Sequence, residues 1–221
     1  MTTVAGALKE ARTRIPSAEA GLLLAEACGR NKAWLIAHDD ELLPAEVAVR
    51  FEDWVARREQ GEPVAYILGW REFYGHRFAV APDVLIPRPE TELLVEEGLG
   101  AVAKVTAPRI LDLGTGSGCI AISLALARPD AQVWAVDFSA EALKIATANA
   151  QTLGAKVEFV RSDWTASLQV SDFDLIVSNP PYIAPDDEHL TQGDLRFEPR
   201  TALAADDAGL ADLRCIVAAA T

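Results

Sequence analysis

The fold is decided by the stretch Arg109-Ile110-Leu111-Asp112-Leu113-Gly114-Thr115-Gly116-Ser117-Gly118, which runs from an apolar segment into alternate glycines. The apolar half predicts a buried β-strand, and the glycines predict a tight loop that a ligand can approach closely. The residues that follow, 118–128, are apolar and helix-forming. A strand, a glycine loop and a helix in this order are typical of nucleotide-like cofactor sites in parallel α/β sheets.

The same alternation of strand and helix continues downstream. Further strands are predicted at 132–136, 157–160 and 173–178, with helices at 118–128 and 139–153. Short apolar runs separated by helices predict a parallel sheet that is buried on both faces. Because ligands bind at the carboxyl ends of such strands, we expect the functional residues directly after each predicted strand.

The region before the sheet is expected to contain two further parts. Residues 1–63 are predicted to form a small helical bundle with an apolar stripe from Val47 to Val55. Aromatic residues around a turn-prone glycine predict a β-hairpin, which we interpret as a linker over residues 64–88. The sequence therefore predicts an α/β protein in which a sheet domain at 89–221 follows the helical domain and the linker.

Composition excludes several classes of protein. The 221 residues are 50% hydrophobic, which is too apolar for a disordered chain, and the formal net charge is -13. Most of the negative charge falls after residue 90, which disfavours a protein that grips duplex nucleic acid through a basic face. The chain has no apolar run of membrane-helix length and no signal peptide pattern. Three widely spaced cysteines and three histidines without metal-ligand spacing predict a cytoplasmic protein without a metal.

The glycine loop, Gly114–Gly118, favours one cofactor over another. Its spacing G-x-G-x-G, preceded by Asp112, is the form that S-adenosylmethionine enzymes use. The dinucleotide fingerprint would place its third small residue at Cys119, so NAD fits imperfectly. The candidate cofactor-binding residues are Gly114, Thr115, Gly116, Ser117 and Gly118. The alternative interpretation is a tight structural turn without a ligand.

Acidic and aromatic residues follow the next two strands. Asp137 stands where a carboxylate can accept hydrogen bonds from both ribose hydroxyls, and its charge would repel the phosphate of NADP. Asp163 is expected to accept a hydrogen from an adenine amino group, and Trp164 is expected to flank the ring. Each has a plain alternative, since an acid here can cap a turn and an indole can belong to the core. Taken with the glycine loop, these residues predict an adenosine pocket.

The most specific feature is Asn179-Pro180-Pro181-Tyr182, directly after the last predicted strand. Two successive prolines keep this loop out of a helix and leave its carbonyl groups able to accept hydrogen bonds. The Asn179 side-chain oxygen and the Pro180 carbonyl are expected to hold both hydrogens of a planar NH₂ group. Such a nitrogen mainly needs alignment with a good methyl donor, so no strong general base is required. Tyr182 is expected to pack on the plane of the group.

With these residues in place, the chain resembles the release factor glutamine methyltransferase family across nearly all of its length. The motifs that carry the resemblance are Phe73-Tyr74-Gly75, Ile86-Pro87-Arg88-Pro89-Glu90-Thr91-Glu92, Asp112–Gly118, Asp137, Asp163-Trp164, Asn179–Tyr182 and Phe197-Glu198-Pro199-Arg200-Thr201-Ala202-Leu203. The Asn-Pro-Pro-Tyr loop alone is shared with DNA methyltransferases that act on amino groups. The Phe-Tyr-Gly and Pro-Arg-Pro-Glu-Thr-Glu elements make the resemblance specific.

The resemblance implies a class I S-adenosylmethionine-dependent methyltransferase with a Rossmann-like sheet. It implies methylation of the side-chain nitrogen, N5, of the glutamine in the Gly-Gly-Gln motif of class-1 peptide chain release factors. S-adenosyl-L-homocysteine would be the second product, and the helical domain would recognise the protein substrate. No metal, membrane or nucleic-acid substrate is expected. By family analogy, the cofactor is bound by Gly114–Gly118, Asp137, Trp164 and Asn179, and the glutamine by Asn179, Pro180, Pro181, Tyr182 and Arg88.

One departure from the family pattern concerns the sheet. Only four strands are predicted, whereas family members continue further, so the sheet domain is expected to be C-terminally truncated with an unpaired apolar edge. Two alternatives to release factor methylation remain open. One is a DNA adenine-N6 or cytosine-N4 amino-methyltransferase, which the acidic charge after residue 90 disfavours. The other is a cofactor-binding domain without turnover.

Overall fold

A computed structural model describes residues 2–220 of the chain. The chain divides into two compact units, a helical unit that ends at Gly69 and a sheet unit that begins at Trp70. The helical unit contains α1 (Val4–Ala11), α2 (Ser17–Cys28), α3 (Lys32–Ala37), α4 (Ala45–Glu59) and α5 (Val64–Leu68). The sheet unit contains β1 (Trp70–Phe73), β2 (His76–Ala79), α6 (Glu92–Ala101), β3 (Arg109–Leu113), α7 (Cys119–Ala127), β4 (Gln132–Asp137), α8 (Ala140–Leu153), β5 (Glu158–Arg161), β6 (Leu175–Ser178), α9 (Asp206–Gly209) and α10 (Ala211–Ala219).

The helical unit folds around an apolar core of its own. The predicted stripe on α4 is confirmed, because Val47, Phe51 and Val55 are all buried. The start of α3 is fixed by a cap, in which the side-chain oxygen of Asn31 accepts a 2.8 Å hydrogen bond from the N–H of Trp34. The sequence therefore explains the orientation of α4, through its buried stripe, and the start of α3, through its cap.

The predicted hairpin forms, and it belongs to the sheet unit. Strands β1 and β2 pair antiparallel, and the rings of Phe73 and Phe78 meet edge to face with 6.1 Å between centroids. Both rings are buried in the same core cluster as Val95 of α6. Residues 64–68 form α5 within the helical unit. The sequence had assigned 64–88 to a linker, whereas the aromatic pair packs the hairpin into the core of the sheet unit.

The sheet unit is built on four parallel strands in the order β5-β4-β3-β6. Strand β3 is central, and its residues Ile110, Leu111 and Leu113 are fully buried. The predicted parallel sheet is confirmed, and the strands lie within two residues of their predicted bounds. Strand β3 comes first in the chain among these four and lies between β4 and β6, so the strand order reverses beside β3. Ligands bind at the carboxyl ends of the strands at such a switch point.

Helices cover both faces of this sheet. Helix α7 is apolar on all sides and is buried from Cys119 to Ala125. Helix α6 approaches β6 at Gly98, where an added Cβ would lie 3.1 Å from the side chain of Leu175. On the opposite face, Ile216 of α10 packs against a second core cluster, which is formed by alternate side chains of β3 and β4. Within residues 2–220, β6 pairs only with β3, so its outer edge is unpaired there.

Candidate active site

One cavity of about 420 Å³ opens at the carboxyl ends of the parallel strands. The loops after all four strands contribute to its walls, as the strand direction requires. Residues between Pro82 and Thr91, residues between Pro199 and Ala202, and Asp212 complete the lining. The predicted site residues that line the cavity are Arg88, Gly114, Thr115, Gly116, Ser117, Asp137, Asp163, Trp164, Asn179 and Pro181. The predicted site residues outside the lining are Gly118, Pro180 and Tyr182.

The glycine loop adopts a backbone conformation that favours glycine. Gly114 and Gly116 have φ angles of 71° and 56°, in the left-handed region that L side chains rarely adopt. The N–H groups of Gly114 and Thr115 both donate to the carbonyl of Val136, at 3.0 and 2.9 Å, and tie the loop to β4. No neighbouring part of the described chain lies within 4 Å of the Cβ position on Gly116. A ligand in the cavity therefore meets bare backbone at this point.

Gly118 serves helix packing instead of the cavity wall. It has a φ angle of 83° and directly precedes α7. A Cβ at this position would lie 2.8 Å from Cδ1 of Ile122 and 3.1 Å from Cβ of Ala146. The absence of a side chain lets the start of α7 approach α8. This close approach is a physical reason for glycine at this position besides the predicted contact with the cofactor.

Asp112 lies in β3 directly before the loop, and its side chain is fully buried. Its Oδ2 accepts hydrogen bonds from the hydroxyl of Thr115 at 2.6 Å and from the N–H of Ala121 at 3.3 Å. Its Oδ1 has no hydrogen-bond partner among the described residues. Burial raises the pKa of Asp112 to about 7, although these two hydrogen bonds lower it, and the charge of Asp137 raises it further. The group therefore titrates near neutral pH.

Asp137 ends β4 with its carboxylate held by two backbone groups. Its Oδ2 accepts the N–H of Gly116 at 2.8 Å, and its Oδ1 accepts the N–H of Ser139 at 2.9 Å. Each carboxylate oxygen has further lone-pair capacity for another donor. The carboxylate is therefore fixed at the cavity while both of its oxygens can still accept hydrogen bonds from ligand hydroxyls.

The residues after β5 form another wall of the cavity. Trp164 has a φ angle of 47°, and its ring lies 3.7 Å from the Cβ position on Gly114. The same ring packs against a core cluster, so Trp164 is both a cavity residue and a core residue. Asp163 also lines the cavity, where Asp212 has a pKa that is raised first by burial and then by the charges of Asp163 and Asp206.

Asn179 lines the cavity from the end of β6. Its side-chain nitrogen donates to Oγ1 of the buried Thr91 at 3.5 Å, which is a long hydrogen bond. This contact directs the nitrogen to Thr91, and Oδ1 of Asn179 accepts no hydrogen bond from another residue within 2–220. The oxygen is therefore able to accept a hydrogen bond from a ligand.

The rest of the Asn-Pro-Pro-Tyr loop runs along a distant segment of the chain. Pro180 is buried, and Tyr182 is 65% exposed. The N–H groups of Tyr182 and Ile183 both donate to the carbonyl of Leu203, at 3.2 and 3.0 Å. This pairing fixes the course of the loop and leaves the tyrosine ring outside the cavity lining.

Arg88 lies at the cavity with a buried partner. Its guanidinium forms an ion pair with Glu198, whose side chain is 0% exposed. The second carboxylate oxygen of Glu198 accepts the N–H of Ile86 at 3.0 Å. Glu198 therefore holds both the Arg88 side chain and the backbone that leads to it. The sequence singled out Arg88 but gave Glu198 no role of its own.

Asn149 of α8 is a further site residue that the sequence did not single out. It is buried, and its nitrogen donates to the carbonyls of Ser117 at 2.9 Å and Ala79 at 3.0 Å. Its oxygen accepts the N–H of Ala79 at 2.8 Å. The residue thereby joins the glycine loop to the hairpin. Phe138 was also missed, although its place directly after a strand end was a usable signal, and it lines the cavity while 69% exposed.

The cavity fits a nucleoside cofactor that carries positive charge. Gly116 offers bare backbone, Asp137 offers a fixed carboxylate for hydroxyl groups, and Trp164 offers an aromatic face. The other carboxyl groups of the lining belong to Asp83, Asp163 and Asp212. Several carboxyl groups around one cavity favour a cation. S-adenosylmethionine, which joins an adenosine to a sulfonium ion, has this chemistry.

Residues 2–220 contain no group of three or more His, Cys, Asp or Glu side chains placed to hold a metal ion. None of the helices among these residues is both long and apolar enough to cross a bilayer.

Comparison with known proteins agrees with the two units. Residues 2–69 match the family model of the PrmC N-terminal domain, and residues 90–195 match that of the methyltransferase small domain. A relative from Bordetella pertussis, named release factor glutamine methyltransferase, is 55% identical over 93% of this chain and 77% of its own length. A relative of the same name from Pseudomonas aeruginosa is 49% identical over 100% of this chain and 81% of its own length.

A solved structure supports the same fold. The hMettl16 catalytic domain, in complex with MAT2A 3'UTR hairpin 6, matches 78% of this chain and 61% of its own with a TM-score of 0.51. At 18% identity this likeness concerns the fold alone. Together with the parallel sheet and the methyltransferase family match, it confirms the predicted class I S-adenosylmethionine-dependent methyltransferase fold after an N-terminal helical region.

Proposed function

Because this chain belongs to the release factor glutamine methyltransferase family, we propose that it methylates the glutamine of the Gly-Gly-Gln motif in class-1 peptide chain release factors. The methyl group passes from S-adenosyl-L-methionine to the side-chain amide nitrogen, N5, and S-adenosyl-L-homocysteine is the second product. One observation carries this proposal: the glycine loop, Asp137 and Asn179 all line the same cavity. Direct transfer of the methyl group requires that the cofactor site and the group that binds the amide face the same cavity.

S-adenosylmethionine is assigned to residues at the carboxyl ends of β3, β4 and β5. The backbone of Gly114–Ser117 lies close to the cofactor, the carboxylate of Asp137 accepts hydrogen bonds from the ribose hydroxyls, and Asp163 and Trp164 bind the adenine. The fixed orientation of the Asp137 carboxylate supports its role, because both oxygens retain lone-pair capacity. When bound, the cofactor supplies an electrophilic methyl group on a positively charged sulfur atom.

On the substrate side, two acceptors hold the carboxamide. Oδ1 of Asn179 and the carbonyl of Pro180 each accept one hydrogen of the NH₂ group, so the nitrogen lone pair is aligned for in-line attack. The contact from Asn179 to Thr91 supports this assignment, since a side-chain nitrogen that donates to Thr91 leaves Oδ1 to accept from the substrate. The ring of Tyr182, which is exposed and lies outside the cavity lining, is the group that we assign to the plane of the bound amide.

The same two acceptors stabilise the charge that methyl transfer creates on the nitrogen. Once the new N–C bond has formed, the amide nitrogen carries a positive charge and becomes much more acidic. Asn179 and Pro180 stabilise that charge through the hydrogens they accept. The proton then leaves to solvent, so the reaction needs no strong general base.

The partners follow from the same assignment. Recognition of the release factor beyond its glutamine is assigned to the helical unit, which matches the N-terminal family model. The relatives are named for release factors, which act in translation, so we assign the protein to the cytoplasm. Neither a metal, a membrane nor a nucleic-acid substrate takes part in the proposed reaction.

Transfer of label from methyl-labelled S-adenosylmethionine tests the proposed function. We expect one labelled methyl group per class-1 release factor, located by mass spectrometry on the glutamine of its Gly-Gly-Gln motif. The same release factor with alanine in place of that glutamine should remain unlabelled, and so should duplex DNA.

The other outcomes of this assay are equally specific. Labelled DNA beside an unlabelled release factor would overturn the proposal in favour of a DNA amino-methyltransferase. Cofactor binding by calorimetry without label in either substrate would overturn it in favour of a cofactor-binding domain without turnover.

A further inference from the structure

The ion pair between Arg88 and Glu198 sets the charge at one end of the cavity. Arg88 lines the cavity with its side chain 34% exposed, while the Glu198 side chain is 0% exposed. Nη2 of Arg88 contacts Oε1 of Glu198, and Oε2 accepts the N–H of Ile86 at 3.0 Å. Both oxygens of the buried carboxylate are engaged, so its charge stays beside that of Arg88.

The guanidinium retains donors for a ligand. A guanidinium carries five N–H groups, and the contact with Glu198 uses one nitrogen, Nη2. Among the described residues that line the cavity, Arg88 is the one basic side chain. The pair therefore presents N–H donors to the cavity without a net charge.

The remaining charged groups of the lining are acidic. They belong to Asp83, Asp137, Asp163 and Asp212. An anionic side chain that enters the cavity approaches these carboxyl groups, and the one cation that would compensate is already neutralised by Glu198. A neutral carboxamide meets the same N–H donors without this repulsion.

We propose that Glu198 is a positioning residue that makes the site select glutamine over glutamate. It cancels the charge of Arg88 and holds the guanidinium so that its remaining N–H groups donate to the neutral substrate. This inference rests on the proposed function, because it takes the glutamine side chain to enter this cavity. Without Glu198, Arg88 would be an uncompensated cation, which binds a carboxylate more strongly than an amide.

Binding of two matched ligands tests the proposal. A release factor with either glutamine or glutamate in its Gly-Gly-Gln motif is titrated into the full chain in the presence of S-adenosyl-L-homocysteine. The ratio of the two Kd values measures the preference for glutamine. In Glu198→Gln we expect this preference to fall by about tenfold, because the uncompensated Arg88 can form a charged hydrogen bond with the glutamate ligand, and one such bond changes affinity by about that factor.

Further variants separate charge from packing. Arg88→Gln leaves the charge of Glu198 uncompensated, so the preference for glutamine should rise, by about tenfold on the same basis. The double variant R88Q/E198Q is neutral again and should return the ratio to near the wild-type value while it weakens both ligands. Glu188→Gln, which removes an exposed carboxylate, is the matched control and should leave the ratio unchanged.

The outcomes discriminate clearly. A folded Glu198→Gln protein that binds both ligands more weakly by one common factor overturns the proposal, because loss of packing alone gives that pattern. If Glu198→Gln does not fold, Arg88→Gln decides, and an unchanged or reduced preference for glutamine overturns the proposal. Failure of the proposed function is seen separately, as a wild-type protein that transfers no methyl group to the glutamine form.

Discussion

The hydroxyl group of Thr115 donates a 2.6 Å hydrogen bond to Oδ2 of Asp112, and both residues are buried where the glycine loop leaves β3. Asp112 is outside the cavity lining, so its carboxyl group holds the loop from the interior of the protein. Burial raises the pKa of this group to about 7. The support of the loop is therefore coupled to a protonation step near neutral pH.

This coupling predicts a pH-dependent stability. The pKa of Asp112 is about 7 in the folded protein against an ordinary value of 3.8, so between these pH values the folded state binds more protons than the unfolded state. Stability contributed by the protonated group is present at low pH and is lost as the pH rises toward 7. Asp112→Asn carries no such charge, so its stability should not show this loss.

Urea unfolding at pH 5 and pH 8 measures the effect on the cofactor-free protein. From pH 5 to pH 8, the wild type should lose about 1 kcal/mol or more of unfolding free energy relative to Asp112→Asn, since one pKa unit is about 1.4 kcal/mol. Asp186→Asn, which alters an exposed carboxyl group, is the control and should follow the wild type. Parallel curves for Asp112→Asn and wild type would contradict the buried-acid interpretation.

Two glycines of the loop should respond differently to alanine. Gly118→Ala places a Cβ 2.8 Å from Ile122 and 3.1 Å from Ala146, so we expect it to lose about 2–3 kcal/mol of unfolding free energy. In Gly116→Ala the added Cβ has no neighbouring atom within 4 Å, so only backbone strain should lower the unfolding free energy, by about 1 kcal/mol. Calorimetry should instead show the larger loss of cofactor affinity in Gly116→Ala. The reverse ranking would return Gly118 to the cofactor site.

Asn179→Ala should separate catalysis from cofactor binding. We expect kcat to fall by about 100-fold, because the variant loses one acceptor that stabilises the transition state. The Kd for S-adenosylmethionine should change by less than about threefold, since the variant loses a contact to the amide while the other cofactor-binding residues remain. Wild-type activity in Asn179→Ala would remove the assigned role.

The matched control for that variant is Asn31→Ala in the helical unit. It removes the cap of α3 and should lower the free energy of unfolding by about 1 kcal/mol. Its kcat should equal that of the wild type, so the pair distinguishes a general loss of stability from a loss of catalysis.

Asn149→Ala should weaken both the fold and the cofactor site. The variant leaves the backbone groups of Ala79 and the carbonyl of Ser117 without their partner, so we expect a loss of about 2–3 kcal/mol in unfolding free energy. The Kd for S-adenosylmethionine should also rise, because Ser117 belongs to the glycine loop. Gln151→Ala, an exposed residue of the same helix, is the control. Reduced stability with an unchanged Kd would show that Asn149 does not position the loop.

The parallel sheet was predictable because its signal is local. A strand buried on both faces must be a short apolar run, and the run that ends at Leu113 has the bounds predicted from sequence. Part of the site was predictable for a related reason. Parallel strands all end at one edge of the sheet, so Gly114, Asp137 and Asn179, each next to a strand end, meet at one cavity.

Only the tertiary structure decided which distant polar groups meet. Glu198 reaches Arg88 across a separation of 110 residues, and hydrophobic periodicity carries no information about such a pair. It also showed which residues surround the Cβ position of Gly118, because a glycine looks the same in the sequence whether it makes room for a ligand or for a helix. Those residues are Ile122 and Ala146, and the contact with Ala146 depends on how α7 packs against α8, which the order of residues in the chain does not specify.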